Sequence, residues 1–320
     1  MRTVLSVAVL IAVLFALAPA ADAAPIYFIN QQDGGYHWGQ ASGNSPAVFY
    51  WSDHFAPQPG NDYFMGTPYT GGNLRTPEAT NSTFAGDSLT IYSGGQLLLK
   101  SNNDSRVYTV NNLILDGGAI VHGTDSRTVT LDGNITVLST SRLDSSSANP
   151  RRINLDMQLH GSAQLNVIIG GDDWIRLRDD NTDFSGTWNI SRGGASGGAT
   201  PYLDAQAVGS LGTGDIIVGP GVMLDIDYDR QELSSNLILD GLLTLDQALI
   251  FQSVTIGGTL LAPGVYTFTQ LNTDFDAYLV NGAFNGSITI PELLLIPEPA
   301  TLTLLALGGL GLLRRRRRRS

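Results

Sequence analysis

The sequence predicts an all-β protein whose body is a parallel β-helix, or β-solenoid. Three observations predict this fold class: apolar residues alternate along many short segments, glycine is abundant at 37 of 320 residues, and charged residues are few at 15%. Similar segments also recur along the chain, which is typical of a solenoid, because each unit buries its apolar face on its neighbours. A β-sandwich or barrel of regular short strands stays open as the alternative.

The alternating segments are separated by glycine-rich turns. In SLTIYSGGQLLLK, residues 88–100, apolar side chains occupy alternate positions on both sides of the turn residues Gly94 and Gly95. The hexapeptide NLILDG occurs at residues 112–117 and again, identically, at residues 236–241. The body contains no apolar stripe with helical spacing of useful length, so no substantial helix is expected there.

The first 23 residues have the features of a secretory signal peptide. Arg2 is a positively charged start, an apolar stretch follows, and Ala21 and Ala23 form a small-x-small cleavage site. Cleavage is expected after Ala23, because cleavage after Ala24 would leave a proline at the severed bond. An uncleaved membrane anchor is the alternative.

The C-terminus combines three features in a fixed order. Pro297, Glu298 and Pro299 precede an apolar run over residues 300–313, and a basic cluster follows. As a helix the 14 apolar residues reach about 21 Å, so they span a core of about 30 Å only if the bilayer thins or the arginines reach back to the headgroups. A nucleic-acid tail is not expected, since such tails are polar throughout. The basic cluster consists of Arg314, Arg315, Arg316, Arg317, Arg318 and Arg319.

This tail resembles the PEP-CTERM sorting signal, in which a Pro-Glu-Pro is followed by a short apolar segment and a basic cluster. The resemblance implies export in a Gram-negative bacterium, transient insertion in the inner membrane, and processing by an exosortase near the Pro-Glu-Pro. It implies a final location in the periplasm, on the outer surface or outside the cell. Signal peptidase is expected as a second processing enzyme, and an extracellular polysaccharide stays open as a further partner. An ordinary short membrane anchor is the alternative.

A second stretch, residues 184–226, also resembles a known family. Its FSGTW, LGTG and GVML segments look like the autotransporter-associated β-strand repeat, and this resemblance implies a parallel β-helix. The chain then divides into a signal peptide at 1–23, an irregular N-terminal cap at 24–80, a β-solenoid at 81–290, and the sorting signal with its short transmembrane segment at 291–320.

The charge of the body differs from that of the whole chain, which has 18 basic and 29 acidic residues. Without Arg2 and the six terminal arginines 11 basic residues remain, and without Asp22 and Glu298 27 acidic residues remain, a net charge of −16. Such a body repels nucleic acid, so no nucleic-acid partner is predicted. The absence of cysteine excludes disulfides and thiolate chemistry.

The predicted cap concentrates aromatic residues and prolines with little alternation. Shielding of the first solenoid turn explains this composition. A carbohydrate-binding surface built from Trp38, Trp51, Tyr63 and Tyr69 is the functional alternative, because flat aromatic faces stack on sugars.

No catalytic residue, cofactor or metal ligand is predicted. The four histidines lack metal-ligand spacing and are expected at the surface or in turns, and no nucleophile elbow or phosphate-binding loop is present. These histidines are His37, His54, His122 and His160.

Alternating carboxylates at Asp225, Asp227 and Asp229 suggest calcium. An EF-hand loop starting at Asp225 needs glycine and glutamate where this chain has Arg230 and Asn236. A strand with its apolar residues inward explains the spacing, so these aspartates are expected to face water. Calcium stays open as an alternative.

The segment GGDDWIRLRDDNTD, residues 170–183, is the second candidate. Lyases on parallel β-helices combine calcium-binding aspartates with a basic residue, but here Arg176 and Arg178 lie two apart on one short strand and the aspartates flank it. A solvated edge with local ion pairs is expected. The aspartates are Asp172, Asp173, Asp179, Asp180 and Asp183.

The sequence therefore predicts a non-enzymatic, exported surface or extracellular-matrix structural protein. A polysaccharide lyase or hydrolase on the same scaffold, and a carbohydrate-binding adhesin, are the alternatives.

Overall fold

A computed structural model describes residues 25–29, 37–39, 50–123, 127–146, 151–194, 198–280 and 286–292. The predicted signal peptide with Ala21 and Ala23, and the sorting signal from Pro297 to Arg319, lie outside the described residues.

The fold is a parallel β-solenoid of about eight turns, which confirms the predicted fold class. Each full turn contributes one strand to sheet 1 and one strand to sheet 2, and almost all neighbouring strands pair in parallel. Sheet 1 contains β1 (Ile26–Tyr27), β2 (Asp62–Met65), β5 (Ser88–Tyr92), β7 (Arg106–Asp116), β9 (Thr128–Ser139), β11 (Arg152–Gly161), β13 (Trp174–Leu177), β15 (Tyr202–Ala205), β17 (Met223–Ile226), β19 (Leu242–Thr244) and β24 (Leu279–Val280), with β4 (Ser82–Thr83) beside β7. Sheet 2 contains β3 (Gly72–Arg75), β6 (Gly95–Leu99), β8 (Ala119–His122), β10 (Ser141–Asp144), β12 (Leu165–Ile169), β14 (Trp188–Arg192), β16 (Ile216–Val218), β18 (Asn236–Leu239), β21 (Ser253–Ile256) and β22 (Thr259–Leu260).

The core consists of inward side chains that stack in register from turn to turn. Alternation places every second residue inside, and parallel pairing puts equivalent residues directly above one another. Burial of each such aliphatic side chain contributes about 1.5–3 kcal/mol relative to exposure. One sheet 2 ladder, with no member more than 3% exposed, contains Leu74, Leu97, Ile120, Leu143, Val167, Ile190, Val218, Leu239 and Ile256.

The N-terminal end is filled by aromatic rings. Trp51 packs edge-on against Tyr63 with ring centroids 4.7 Å apart, and Trp38 contacts Phe84 at 5.7 Å. Trp38, Trp51 and Tyr63 are at most 1% exposed. The carbohydrate-binding surface proposed from them is therefore wrong, apart from Tyr69, which is partly exposed. Strands β2 and β3 already pair in sheets 1 and 2, so the repeating structure extends into the region assigned to a cap.

A small third sheet and a short helix follow the last full turn. The sheet joins β20 (Ala248–Ile250), β25 (Ser287–Ile290) and β23 (Gly264–Thr267). Helix α1 (Phe268–Asp274) begins after Thr267, which forms a capping box with Gln270, and it buries Phe268 and Leu271. A 3-10 turn follows at Asp276–Tyr278. At seven residues, α1 is too short to give a helical pattern in the sequence.

Candidate functional site on the outer face of sheet 1

A column of polar residues crosses the outer face of sheet 1. The β-strand register pairs Asn154 with Arg176, Arg176 with Asp204, Asp204 with Asp225, and Asp225 with Thr244. These positions alternate with buried ones, so their side chains point outward. Because neighbouring strands lie about 4.8 Å apart, each residue of the column is adjacent to the next.

Arg176 and Asp204 form a tight ion pair in this column. The Arg176 Nε donates to Asp204 Oδ2 at 2.8 Å, and the guanidinium lies over the Trp174 ring, 4.0 Å from its centroid. Gln206 Nε2 also donates to Oδ2, at 3.0 Å. Asp204 is only 4% exposed, and its Oδ1 has no hydrogen-bond partner among the described residues.

Asp225 and Asp227 lie on the other side of Asp204. One carboxylate oxygen from each of Asp204, Asp225 and Asp227 lies within 4.8 Å of the other two. We call these three residues the acidic triad. Asp204 is buried, Asp225 is half-buried and Asp227 is exposed. With Arg176 beside them, the four ionised groups carry a net charge of −2.

Burial dominates the electrostatics of the triad. Burial, together with the charges of Asp227 and Asp204, raises the pKa of Asp225 to about 6, against the lowering effect of a hydrogen bond from Thr244. Burial also raises the pKa of Asp204, although the hydrogen bond from Arg176 opposes this shift. A proton or a cation between the carboxylates relieves the repulsion in such a site.

The aspartates at 225, 227 and 229 divide between two environments. As predicted, the intervening residues are buried and the aspartates face outward. Asp229, however, leaves the column and accepts a hydrogen bond from the Ala248 backbone N–H at 2.9 Å. Asp225 does not simply face water, because it packs beside Asp204. Sequence reasoning missed Asp204, which lies one turn earlier.

The aspartates at 170–183 do not gather around the two arginines. Asp172 accepts from the Ala199 N–H at 2.9 Å, and Asp180 accepts from the Thr182 N–H at 3.0 Å, so both hold turns. Asp173 is buried and accepts from the backbone N–H of Arg151.

The partners of Arg176 and Arg178 come from neighbouring turns. Arg176 pairs with Asp204, as described above, and Arg178 pairs with Asp156 of the preceding turn at 3.4 Å. The prediction of local ion pairs is therefore wrong, because stacking brings residues about one turn apart closer than residues of one segment.

The histidines do not assemble into a site. His122 is fully buried in β8, with Nε2 3.0 Å from the Arg127 carbonyl oxygen, so the prediction of a position at the surface or in a turn is wrong for this residue. His160 is partly exposed and lies 3.6 Å from an Asp183 carboxylate oxygen. Within the described ranges, neither of these two residues belongs to a group of three possible metal ligands.

A strip of aromatic rings lies on the outer face of sheet 1 near its N-terminal end. Tyr27 stacks on Tyr69 with centroids 5.3 Å apart, and Phe64 stacks on Tyr92 at 6.4 Å. Phe64 and Tyr69 are 5.7 Å apart, which joins the two pairs into one strip. Tyr27 is 39% exposed. This strip is absent from the sequence-based prediction except for Tyr69.

Comparison with known proteins identifies one segment. Residues 295–318 match the PEP-CTERM protein-sorting motif. No curated protein and no solved structure matches the chain. Across the described ranges, no helix is long and apolar enough to cross a membrane. The sorting motif indicates an exported protein that is targeted to the cell envelope and processed by exosortase.

Proposed function

We propose that this chain, sorted through its PEP-CTERM motif, is a non-enzymatic structural component of the surface or extracellular matrix of a Gram-negative bacterium. The observation that carries the proposal is the sorting motif at residues 295–318, joined to a solenoid built from uninterrupted apolar ladders. Stacked solenoid turns form a long, regular surface. The fold is stabilised by contacts between neighbouring turns and does not need a substrate cavity.

The proposed maturation has two steps. Signal peptidase removes residues 1–23 by cleavage after Ala23, and exosortase acts near Pro297, Glu298 and Pro299 after the apolar segment has held the chain transiently in the inner membrane. The arginines from Arg314 to Arg319 orient that segment with its C-terminal end in the cytoplasm. Loss of both segments leaves the strongly acidic body.

A glycan panel tests the non-enzymatic assignment. The full-length chain is incubated with neutral and acidic polysaccharides, and new reducing ends and unsaturated uronates are measured. The proposal predicts no turnover above buffer. Reproducible turnover that is lost in an Arg176→Met variant would contradict it.

A polysaccharide lyase or hydrolase is the second candidate. The favouring observation is the convergence of Arg176 with the acidic triad on an outward sheet face. Against it, the Arg176 Nε is already engaged by Asp204, and the guanidinium stacks on Trp174. The negative charge of the body also disfavours an anionic substrate.

A carbohydrate-binding adhesin is the third candidate, now based on the outer aromatic strip rather than on Trp38 and Trp51. It predicts glycan binding that is lost in Tyr69→Ala and kept in Tyr202→Ala, a partly exposed tyrosine elsewhere on sheet 1. Equal binding by both variants would remove the strip from consideration.

A further inference from the structure

We infer that the acidic triad, Asp204, Asp225 and Asp227, is a calcium-binding site on the outer face of sheet 1. The inference is independent of the proposed function, because it depends only on the geometry of β15, of β17 and of Asp227, which directly follows β17.

The first support is the arrangement of oxygen donors. Three carboxylates offer oxygens that lie mutually within 4.8 Å, which is also the separation of two oxygens on opposite sides of a calcium ion at about 2.4 Å each. Carboxylate oxygens are the ligands that calcium prefers, and water molecules complete its 6–8 ligands. The exposed position of Asp227 leaves the site open to solvent on one side.

The second support is the unsatisfied oxygen of Asp204. Both donors that reach this carboxylate, Arg176 Nε and Gln206 Nε2, bind Oδ2. Oδ1 is buried and has no partner among the described residues, although a buried carboxylate oxygen without a partner is costly. A cation that binds Oδ1 together with the carboxylates of Asp225 and Asp227 would supply that missing partner.

The charge balance agrees with a divalent ion. The triad and Arg176 together carry −2, which one calcium ion neutralises. Arg176 does not oppose the ion from within the site, because β15 pairs with β13 on one edge and with β17 on the other. The guanidinium is held on the β13 side, over Trp174, while Asp225 lies on the β17 side.

Calcium is favoured over magnesium by geometry. Magnesium requires near-ideal octahedral coordination at about 2.0–2.1 Å, whereas calcium accepts irregular oxygen sets. Asp204 and Asp225 are fixed on two stacked strands and Asp227 directly follows β17, so the three side chains cannot rearrange freely around a small ion. We expect a dissociation constant of about 10⁻⁴–10⁻³ M, the range of extracellular calcium modules, because only three protein carboxylates contribute.

Equilibrium dialysis of the full-length chain against calcium chloride tests the inference, at neutral pH and physiological ionic strength. We expect saturable binding in this range, at least tenfold weaker binding of magnesium, and at least tenfold weaker calcium binding in Asp225→Asn. Asp240→Asn, which removes an exposed carboxylate next to sheet 2, is the matched control and should bind calcium like the parent chain.

A second variant and a folding readout keep the result interpretable. Asp227→Asn, at the exposed position, is expected to weaken calcium binding as Asp225→Asn does. In EDTA both variants should melt no earlier than the parent, since each loses a repelling charge. Absence of saturable binding, unchanged calcium affinity in both triad variants, or equal affinity for magnesium would overturn the assignment.

Discussion

Asp204 and Asp225 occupy paired positions on the adjacent parallel strands β15 and β17, and both side chains lie on the outer face of sheet 1. Like charges in paired positions on neighbouring strands are destabilising unless a partner intervenes. Arg176 supplies a partner for Asp204 at 2.8 Å, from the preceding turn. Among the described residues, no positively charged side chain pairs with Asp225 in this way, and its stabilising neighbour is the Thr244 hydroxyl.

The stability of the chain is expected to depend on pH through Asp225. Its pKa in the folded state, about 6, lies above the ordinary 3.8, so folding favours the protonated form. The resulting stabilisation is fully present below pH 3.8 and is lost as the pH rises through about 6. Burial is the largest cause of this raised pKa, and the charges of Asp227, Asp204 and Asp246 add to it, with Arg176 acting on Asp204.

Thermal unfolding in EDTA between pH 4 and pH 7.5 checks this dependence, with Asp225→Asn measured beside the parent. We expect the variant to gain melting temperature relative to the parent as the pH rises, and Asp240→Asn to follow the parent. A constant difference between Asp225→Asn and the parent across this range would contradict the raised pKa.

Loss of the Arg176 side-chain charge should destabilise the fold. Arg176→Met leaves the buried Asp204 carboxylate with Gln206 as its remaining donor, and we expect a loss of about 1–3 kcal/mol, less than for a fully buried pair because Arg176 is about one-third exposed. Arg178→Met is the control, since its pair with Asp156 is more exposed, with side chains 43% and 37% accessible, and should cost less than about 1 kcal/mol. Urea unfolding at neutral pH measures both, and equal losses would contradict the special position of Arg176.

The turn before β14 requires glycine at position 186. A Cβ there would lie 2.0 Å from the Ala163 carbonyl oxygen of the turn below. Gly186→Ala is therefore expected to cost about 1–3 kcal/mol or more, because the clash is with backbone that cannot move away. Gly194→Ala, whose Cβ meets nothing within 4 Å among the described residues, should be nearly neutral. Urea unfolding midpoints measure both variants. Similar losses of stability in the two would contradict the close stacking of the turn at Gly186 on the preceding turn.

Replacing a buried aromatic residue of the N-terminal region should destabilise the fold more than replacing a partly exposed one. Trp51 is fully buried against Tyr63, so Trp51→Ala is expected to cost about 3–5 kcal/mol. Tyr69→Ala changes a partly exposed ring and should cost about 1 kcal/mol or less. Urea unfolding compares the stability of the two variants. Unchanged stability in Trp51→Ala would contradict the burial of aromatic rings at the N-terminal end of the solenoid.

The fold class followed from the sequence because both sheets of a solenoid impose the same alternation. The two NLILDG hexapeptides show its limit. The copy at 112–117 ends β7 in sheet 1, whereas the copy at 236–241 contains β18 in sheet 2. In each copy the two leucines are buried. Alternation thus determines which side chains point inward, but it does not determine the sheet.

The candidate site was less accessible to sequence reasoning. Arg176 and Asp204 are 28 residues apart, and Asp204 and Asp225 are 21 apart, so the turn length varies along the solenoid. Without a constant period, the residue that stacks on Arg176 cannot be counted from the sequence. Alternation with apolar neighbours predicts that each of these residues points outward, so it places them on one face of the solenoid. It does not predict which of them are adjacent on neighbouring strands.

Export and processing through the C-terminal motif are the basis of the proposed function. Intact-mass measurement of the chain recovered from the surface or medium of an exosortase-containing host tests it, with an exosortase-deficient host in parallel. We predict a species that lacks residues 1–23 and the segment following the Pro-Glu-Pro, absent from the deficient host. A surface form that retains the apolar segment and arginines, or one that is identical in both hosts, would contradict the account.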